Sequence, residues 1–364
     1  MEKQAEEHKR AKKHRQSEEN KRTEELRLYG EIASKVAVML TDSLEEWTAF
    51  LTAAGRLYKW PYEDQLLIYA QRPDATACAD YAVWNRLNRY IRRGSDAIVL
   101  IDNSGASPAL RYVFDFSDTK SGANGRTPWF WEYRDNQHYS AVSAALDRQF
   151  GKSRETDMAA RLDELSEHLS QEYWNDHKEE ILESVDGSFL EDFDPLNVEM
   201  AFCHAASVSI AWTLMSRCNL EPEEYFQRQD FENVFEFNTP AAIAALGCAV
   251  SESTEKVLRE IETAVKGCER EKRKERNVQN GPATGVQTGG RLPYPGRSAG
   301  GQPGQAAGQI RSDAQRVPAS APARPVGTAV YQRGIVPPLP GNRGRGQPPY
   351  GGHTARPDAV GWRG

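Results

Sequence analysis

Eighteen of the chain's 28 glycines and thirteen of its 20 prolines lie after residue 280, where neither Lys nor Glu occurs. Glycine raises the entropy lost on ordering and proline removes a backbone donor, so such a stretch buries too little apolar surface to offset being fixed. The folded core must therefore come from the preceding residues. Residues 271–364 are expected to be a disordered linker or tail, basic in character because 281–364 carry ten Arg against two Asp.

Charge divides the remainder. Residues 151–270 hold 26 Asp/Glu against 10 Lys/Arg, a net of −16, which directs the search for a phosphate-binding surface to other parts of the chain. The five cysteines form no CxxC pair, and neither a signal peptide nor an apolar run of about 18 residues is apparent. This reads as a reduced, cytoplasmic protein with no membrane span, no metal site and no cofactor.

Residues 1–27 are nearly all charged, with acids and bases at helical spacings and almost no large apolar side chain, and read as a solvated, frayed helix or disordered leader. Helical periodicity begins at Leu28, Ile32, Val36 and Met39. It resumes after Ser43-Leu44-Glu45-Glu46, which has the form of a capping box, with Trp47, Leu51, Ala54 and Tyr58 on one stripe. Pro61 ends that helix, a short one is expected through residues 65–70 up to Pro73, and another from Tyr81 to Ile91 closed by Gly94. Two β-rich runs, Ala97–Ile101 and Leu110–Phe116, are joined by a Gly/Pro/Ser loop and predict a hairpin. From about residue 139 the pattern is helical again. Asp194-Pro195 and Thr239-Pro240 each read as an N-cap followed by proline in the first turn. The expected fold is α+β: helices with a small antiparallel sheet over 28–138, an acidic all-helical unit over 139–270, and the disordered tail.

Chemistry concentrates in residues 56–93, where seven arginines and lysines interleave with seven Tyr and Trp. Single-stranded nucleic acid needs cations along its phosphates and flat rings for its unpaired bases. The residues expected to touch a strand are Arg72, Trp84, Arg89, Arg92 and Arg93, with Tyr90 as a stacking ring. The competing reading makes Tyr69, Trp84 and Tyr90 core aromatics and the arginines solvated helix faces.

The runs DQLLIYAQRPDATACADYAVW at 64–84, RYIRRGSDAIVLID at 89–102 and LRYVFDFSDT at 110–119 resemble the ArdC-like antirestriction domain. That domain stands at the front of very large polyvalent proteins of conjugative transposons and phages. NVFEFNTPAAIAALG at 233–247 and VQTGGRLP at 286–293 resemble segments that follow it there. The resemblance implies single-stranded-DNA binding by residues 28–138, with conjugation or replication proteins as partners. In that family the chain continues into a helicase and an adenine methyltransferase, so a second implication is the front part of such an enzyme. One departure is Gly94-Ser95-Asp96-Ala97, where the family has Lys-Gly after the glycine; Asp96 replaces a cation by an anion.

Enzyme signatures are missing from the sequence. There is no GxxxxGK[ST] loop and no HExxH. Cys203-His204 are neighbours on an apolar helix and point about 100° apart, which favours a structural pair over a nucleophile and its base. Gln347-Pro348-Pro349-Tyr350 is similar to a methyltransferase loop but starts with Gln and has no surrounding fold. The chain is therefore read as non-catalytic by itself. A further alternative has the acidic helical unit imitating DNA charge to occupy host proteins.

Overall fold

The computed structural model describes residues 2–279, with the side chains of residue 14 and residues 16–276. The tail and the Gln347–Tyr350 motif lie outside the described residues. Helix α1 runs unbroken from Glu2 to Leu40, so the charged leader and the first apolar stretch are one element. Its exposed part is laced by ion pairs at helical spacing, Lys21 with Glu25 and Arg27 with Glu24 and Glu31. Its last turns bury Ile32, Val36, Ala37 and Leu40.

Helix α2 (Leu44–Arg56) starts where Ser43 accepts a hydrogen bond from the Glu46 amide at 3.2 Å, and α3 (Tyr62–Gln71) follows Pro61. Strand β1 (Cys78–Asp80) leads directly into helix α4 (Tyr81–Arg86). The helix expected to reach Ile91 stops here. Asn88 takes the left-handed conformation, φ 54, and turns the chain into strand β2 (Arg89–Ile91), which pairs antiparallel with β5 (Thr119–Ser121). Asparagine tolerates that backbone, and the aromatic and β-branched residues after it prefer a pleated partner to another helical turn.

The expected hairpin is present. Strands β3 (Ile98–Asp102) and β4 (Ala109–Asp115) are antiparallel, and β1 adds to the free edge of β4 to give the order β1-β4-β3. One face of this sheet buries Cys78, Ile98, Leu100 and Val113 against Leu67 and Ile68 of α3.

Four α-helices follow, α5 (Asp135–Phe150), α6 (Met158–Ser184), α7 (Pro195–Arg217) and α8 (Pro240–Gln279), which continues past residue 270, with two 3-10 helices, Pro222–Glu224 and Arg228–Glu236, between the last two. The Asp194 carboxylate caps α7 through the Leu196 and Asn197 amides, and Thr239 caps α8 through the Ala242 amide. Helix α7 is long and apolar enough to cross a membrane, contrary to the sequence reading that no such run exists. It is instead a core helix, packed by α2, α6 and α8. The expected boundary near residue 138 does not separate two cores. A single apolar cluster takes in Val36 and Trp47 from the first half and Phe202, Ile243 and Ile261 from the second. The Trp47 indole donates to Ser209 on α7 at 3.0 Å.

Candidate nucleic-acid interface

The β2-β5 ribbon sorts the sequence candidates by the alternation of a strand. Arg89 points inward and Tyr90 outward, opposite Lys120 of β5. Tyr90 is 46% exposed; its hydroxyl donates to the Asn88 side chain at 2.8 Å, and its ring lies against Gly122. A side chain on Gly122 would collide with that ring, so the glycine fixes where the ring stands. Arg92 and Arg93 follow β2 into solvent, and the Arg126 guanidinium donates to the Arg86 carbonyl beside it.

Five exposed cations lie on the ribbon and the segments that flank it: Arg86, Arg92, Arg93, Lys120 and Arg126. Among the described residues none of the five has a carboxylate within ion-pair distance. Arg72, Arg111, Arg134, Arg161 and Arg259 do have one, whereas Arg148 and Arg154, also exposed, do not. Asp96 is exposed on the turn that follows Gly94.

Three sequence candidates do not reach this surface. Trp84 is 2% exposed and donates its indole N–H to the Phe114 carbonyl at 2.9 Å. Arg89 is 6% exposed; its Nε donates to Thr119 Oγ1 at 2.8 Å, and its guanidinium lies 4.3 Å from the Phe116 ring centroid. Arg72 is tied to Asp118. For Trp84 the competing core reading holds. The physical reason is common to the three, since each side chain completes a hydrogen bond or charge that the fold would otherwise bury unpaired.

Phe116 connects the ribbon to a neighbouring cleft of about 800 Å³. Trp84 and Arg89 contact Phe116 from the ribbon side, and Phe130 meets it edge-on at 5.3 Å. Trp129 and Phe130 are 39% and 45% exposed at the cleft, beside buried Tyr58 and Trp131. The cations lining it are Arg56, Lys59 and Arg217, and its one carboxylate is Asp80. Lys59 pairs with Glu262 at 2.7 Å. Arg56 donates to the carbonyls of Ala75 and Pro73, and Arg217 donates to the Trp131 carbonyl while stacking 3.5 Å over that indole. Burial pushes both guanidinium pKa values down, and neither has a carboxylate within ion-pair distance among the described residues.

The cleft escaped sequence reasoning in two different ways. Trp129-Phe130-Trp131 after Pro128 is a dense aromatic run in a loop, a signal that was open to reading. Arg217 carried none: it lies within the acidic region 151–270, whose charge argues against a phosphate-binding surface, and reaches the cleft because α7 ends there.

The other reactive groups are held quietly. The Cys203 thiol faces the Ser170 carbonyl and the Gln171 side chain, and burial raises its pKa to about 12, while His204 beside it is exposed. Burial likewise raises Cys218 and Cys248 to about 12. No group of three His, Cys, Asp or Glu side chains converges among the described residues. The chain matches no family model, no curated protein and no solved structure.

Proposed function

We propose that this chain binds single-stranded DNA without sequence preference, as a non-catalytic module of a mobile-element DNA-processing or antirestriction protein acting in the cytoplasm. One observation carries the reading: an exposed tyrosine on a β-ribbon whose strands and flanking segments carry five exposed cations, none with a carboxylate within ion-pair distance among the described residues. Free cations recruit phosphates by releasing their counterions, and the ring offers a face to any unpaired base. The likeness of residues 64–119 to the ArdC-like domain adds support. Conjugation or replication proteins of the element are the partners this role implies.

The test is binding of oligonucleotides of unrelated sequence across a salt series. Arg92→Ala with Arg93→Ala is expected to weaken all of them about equally and to reduce the salt slope by about 1.4, at about 0.7 for each lost phosphate contact. Tyr90→Ala is expected to lower affinity with the slope nearly intact, and duplex DNA to compete poorly because its bases are already stacked. Unchanged binding by a folded Arg92/Arg93 variant, or no binding by the parent at low salt, contradicts the proposal.

A further inference from the structure

We propose that the cleft beside the ribbon seats one nucleoside phosphate of the bound strand, its base against Trp129 and Phe130 and its phosphate on Arg56 and Arg217. This rests on the single-strand reading and extends it from a surface to a defined pocket.

The two arginines make the anion half of the argument. Each guanidinium is half-buried, and the hydrogen bonds it makes within the protein go to neutral carbonyl oxygens. A desolvated cation without an anion is costly, so the site gains by accepting one from outside. Of the carboxylates nearby, Glu262 takes Lys59 and the Tyr58 hydroxyl and Asp115 takes the amides of Thr76 and Ala77, while Asp80 on the cleft wall and Asp74 near Arg56 form no ion pair with either arginine. Arg217 is also held flat, since Trp131 covers one face and donates its own indole N–H to Tyr58 at 3.2 Å. A planar donor fork fixed in this way suits phosphate oxygens.

The rings make the base half. Trp129 and Phe130 leave apolar surface open at the cleft while their neighbours Tyr58 and Trp131 are buried as its floor. Phe130 is braced from behind by Phe116, so it does not have to be ordered when a base arrives. A volume of about 800 Å³ falls in the range of small-ligand sites, roughly 300–1,000 Å³. Phe116 packs against both Arg89 of the ribbon and Phe130 of the cleft, so the two features are neighbours in the fold.

The experiment uses the full chain, an oligonucleotide carrying one 2-aminopurine, and thymidine 5′-monophosphate as a separate probe. Stacking quenches 2-aminopurine, so the wild type is expected to quench it. Trp129→Ala and Phe130→Ala, both at exposed positions, are expected to restore the emission and weaken strand binding about 5- to 150-fold with the salt slope nearly intact. Arg56→Lys with Arg217→Lys keeps both charges but loses the fork, and is expected to weaken binding while circular dichroism stays unchanged. If that variant misfolds, the two ring variants decide. The Arg92/Arg93 double variant, once saturated, is expected to quench as the wild type does. Wild-type affinity and quenching in both ring variants overturn the seat, whatever the Arg92/Arg93 variant shows for the ribbon. A parent that binds no strand but takes the mononucleotide, with Trp129→Ala abolishing this, keeps the seat for a free nucleotide and removes the ribbon. A folded parent that takes neither probe removes both.

Discussion

At the scale of single residues, the polar groups that matter most to this fold are those whose partners were invisible in sequence. Asp115 is 1% exposed and accepts from the amides of Thr76, Ala77 and Ser117 at 2.7, 2.9 and 2.8 Å. Burial alone would raise its pKa, but these donors outweigh it and hold the carboxyl below its ordinary value. A carboxylate depressed on folding contributes stability that is present above its unfolded pKa of about 3.9 and lost as pH falls through the folded one. Asp115→Asn is therefore expected to cost roughly 1–3 kcal/mol at neutral pH and to flatten the acid limb of the stability curve, read by urea denaturation at several pH values. Tyr62 shows the opposite case. Its hydroxyl is buried with no hydrogen-bond partner among the described residues, so Tyr62→Phe is expected to leave the melting temperature unchanged or raise it. A clear fall in melting temperature would show that the hydroxyl has a partner.

At the scale of elements, what was legible in the sequence was whatever short-range chemistry decides. The caps at Ser43, Asp194 and Thr239 act through neighbours two or three residues away, and each appears where the local pattern puts it, whereas α2 ends at Arg56, short of Tyr58 and of the stop expected at Pro61, which instead stands at the start of α3. Strand β2 was not legible, because three residues bear no period of their own and gain a ladder only from β5, some thirty positions downstream. The candidate site divides along the same line. Arg92, Arg93 and Tyr90 were recognisable as an exposed basic-aromatic group, whereas the inward turn of Arg89 follows from strand alternation that a helical reading of 81–91 could not supply. The approach of α3 to α8 was equally hidden. Gly247 has Tyr62 so close that an added Cβ would stand 2.1 Å from a carbon of its ring. Tyr62 is fully enclosed and cannot withdraw, so Gly247→Ala is expected to destabilise by at least about 1–3 kcal/mol, more than its gain in helix propensity returns. Thermal melts of Gly247→Ala alone and with Tyr62→Ala test this, since removing the ring should relieve the clash and make the pair less damaging than the sum.

At the scale of the whole molecule, the shared core changes how the interface has to be understood. Sequence patterning predicts an α+β strand-binding unit ending near residue 138, since from about residue 139 the pattern is helical again. The contacts say otherwise. Trp47 donates to Ser209, the Tyr58 hydroxyl to Glu262 and the Arg217 guanidinium to the Trp131 carbonyl, so α7 and α8 complete the hydrogen bonding of the first half. Cutting after residue 138 would expose the Trp47, Leu51 and Val36 surface that α7 and α8 help to cover, and would strip Arg217 from the cleft. Several fully buried side chains at about 1.5–3 kcal/mol each amount to the stability of a typical domain, about 5–15 kcal/mol. A fragment of residues 1–138 is thus expected not to fold, giving collapsed amide dispersion in its NMR spectrum and rapid proteolysis. Residues 1–279 are expected to unfold in a single transition in which tryptophan fluorescence and far-ultraviolet circular dichroism coincide. Two separated transitions, or a well-dispersed spectrum from the short fragment, would instead mean that the halves are autonomous. In that event the acidic helices would be carried beside the interface, free to take a role of their own, and the cleft would have to form and fill without Arg217.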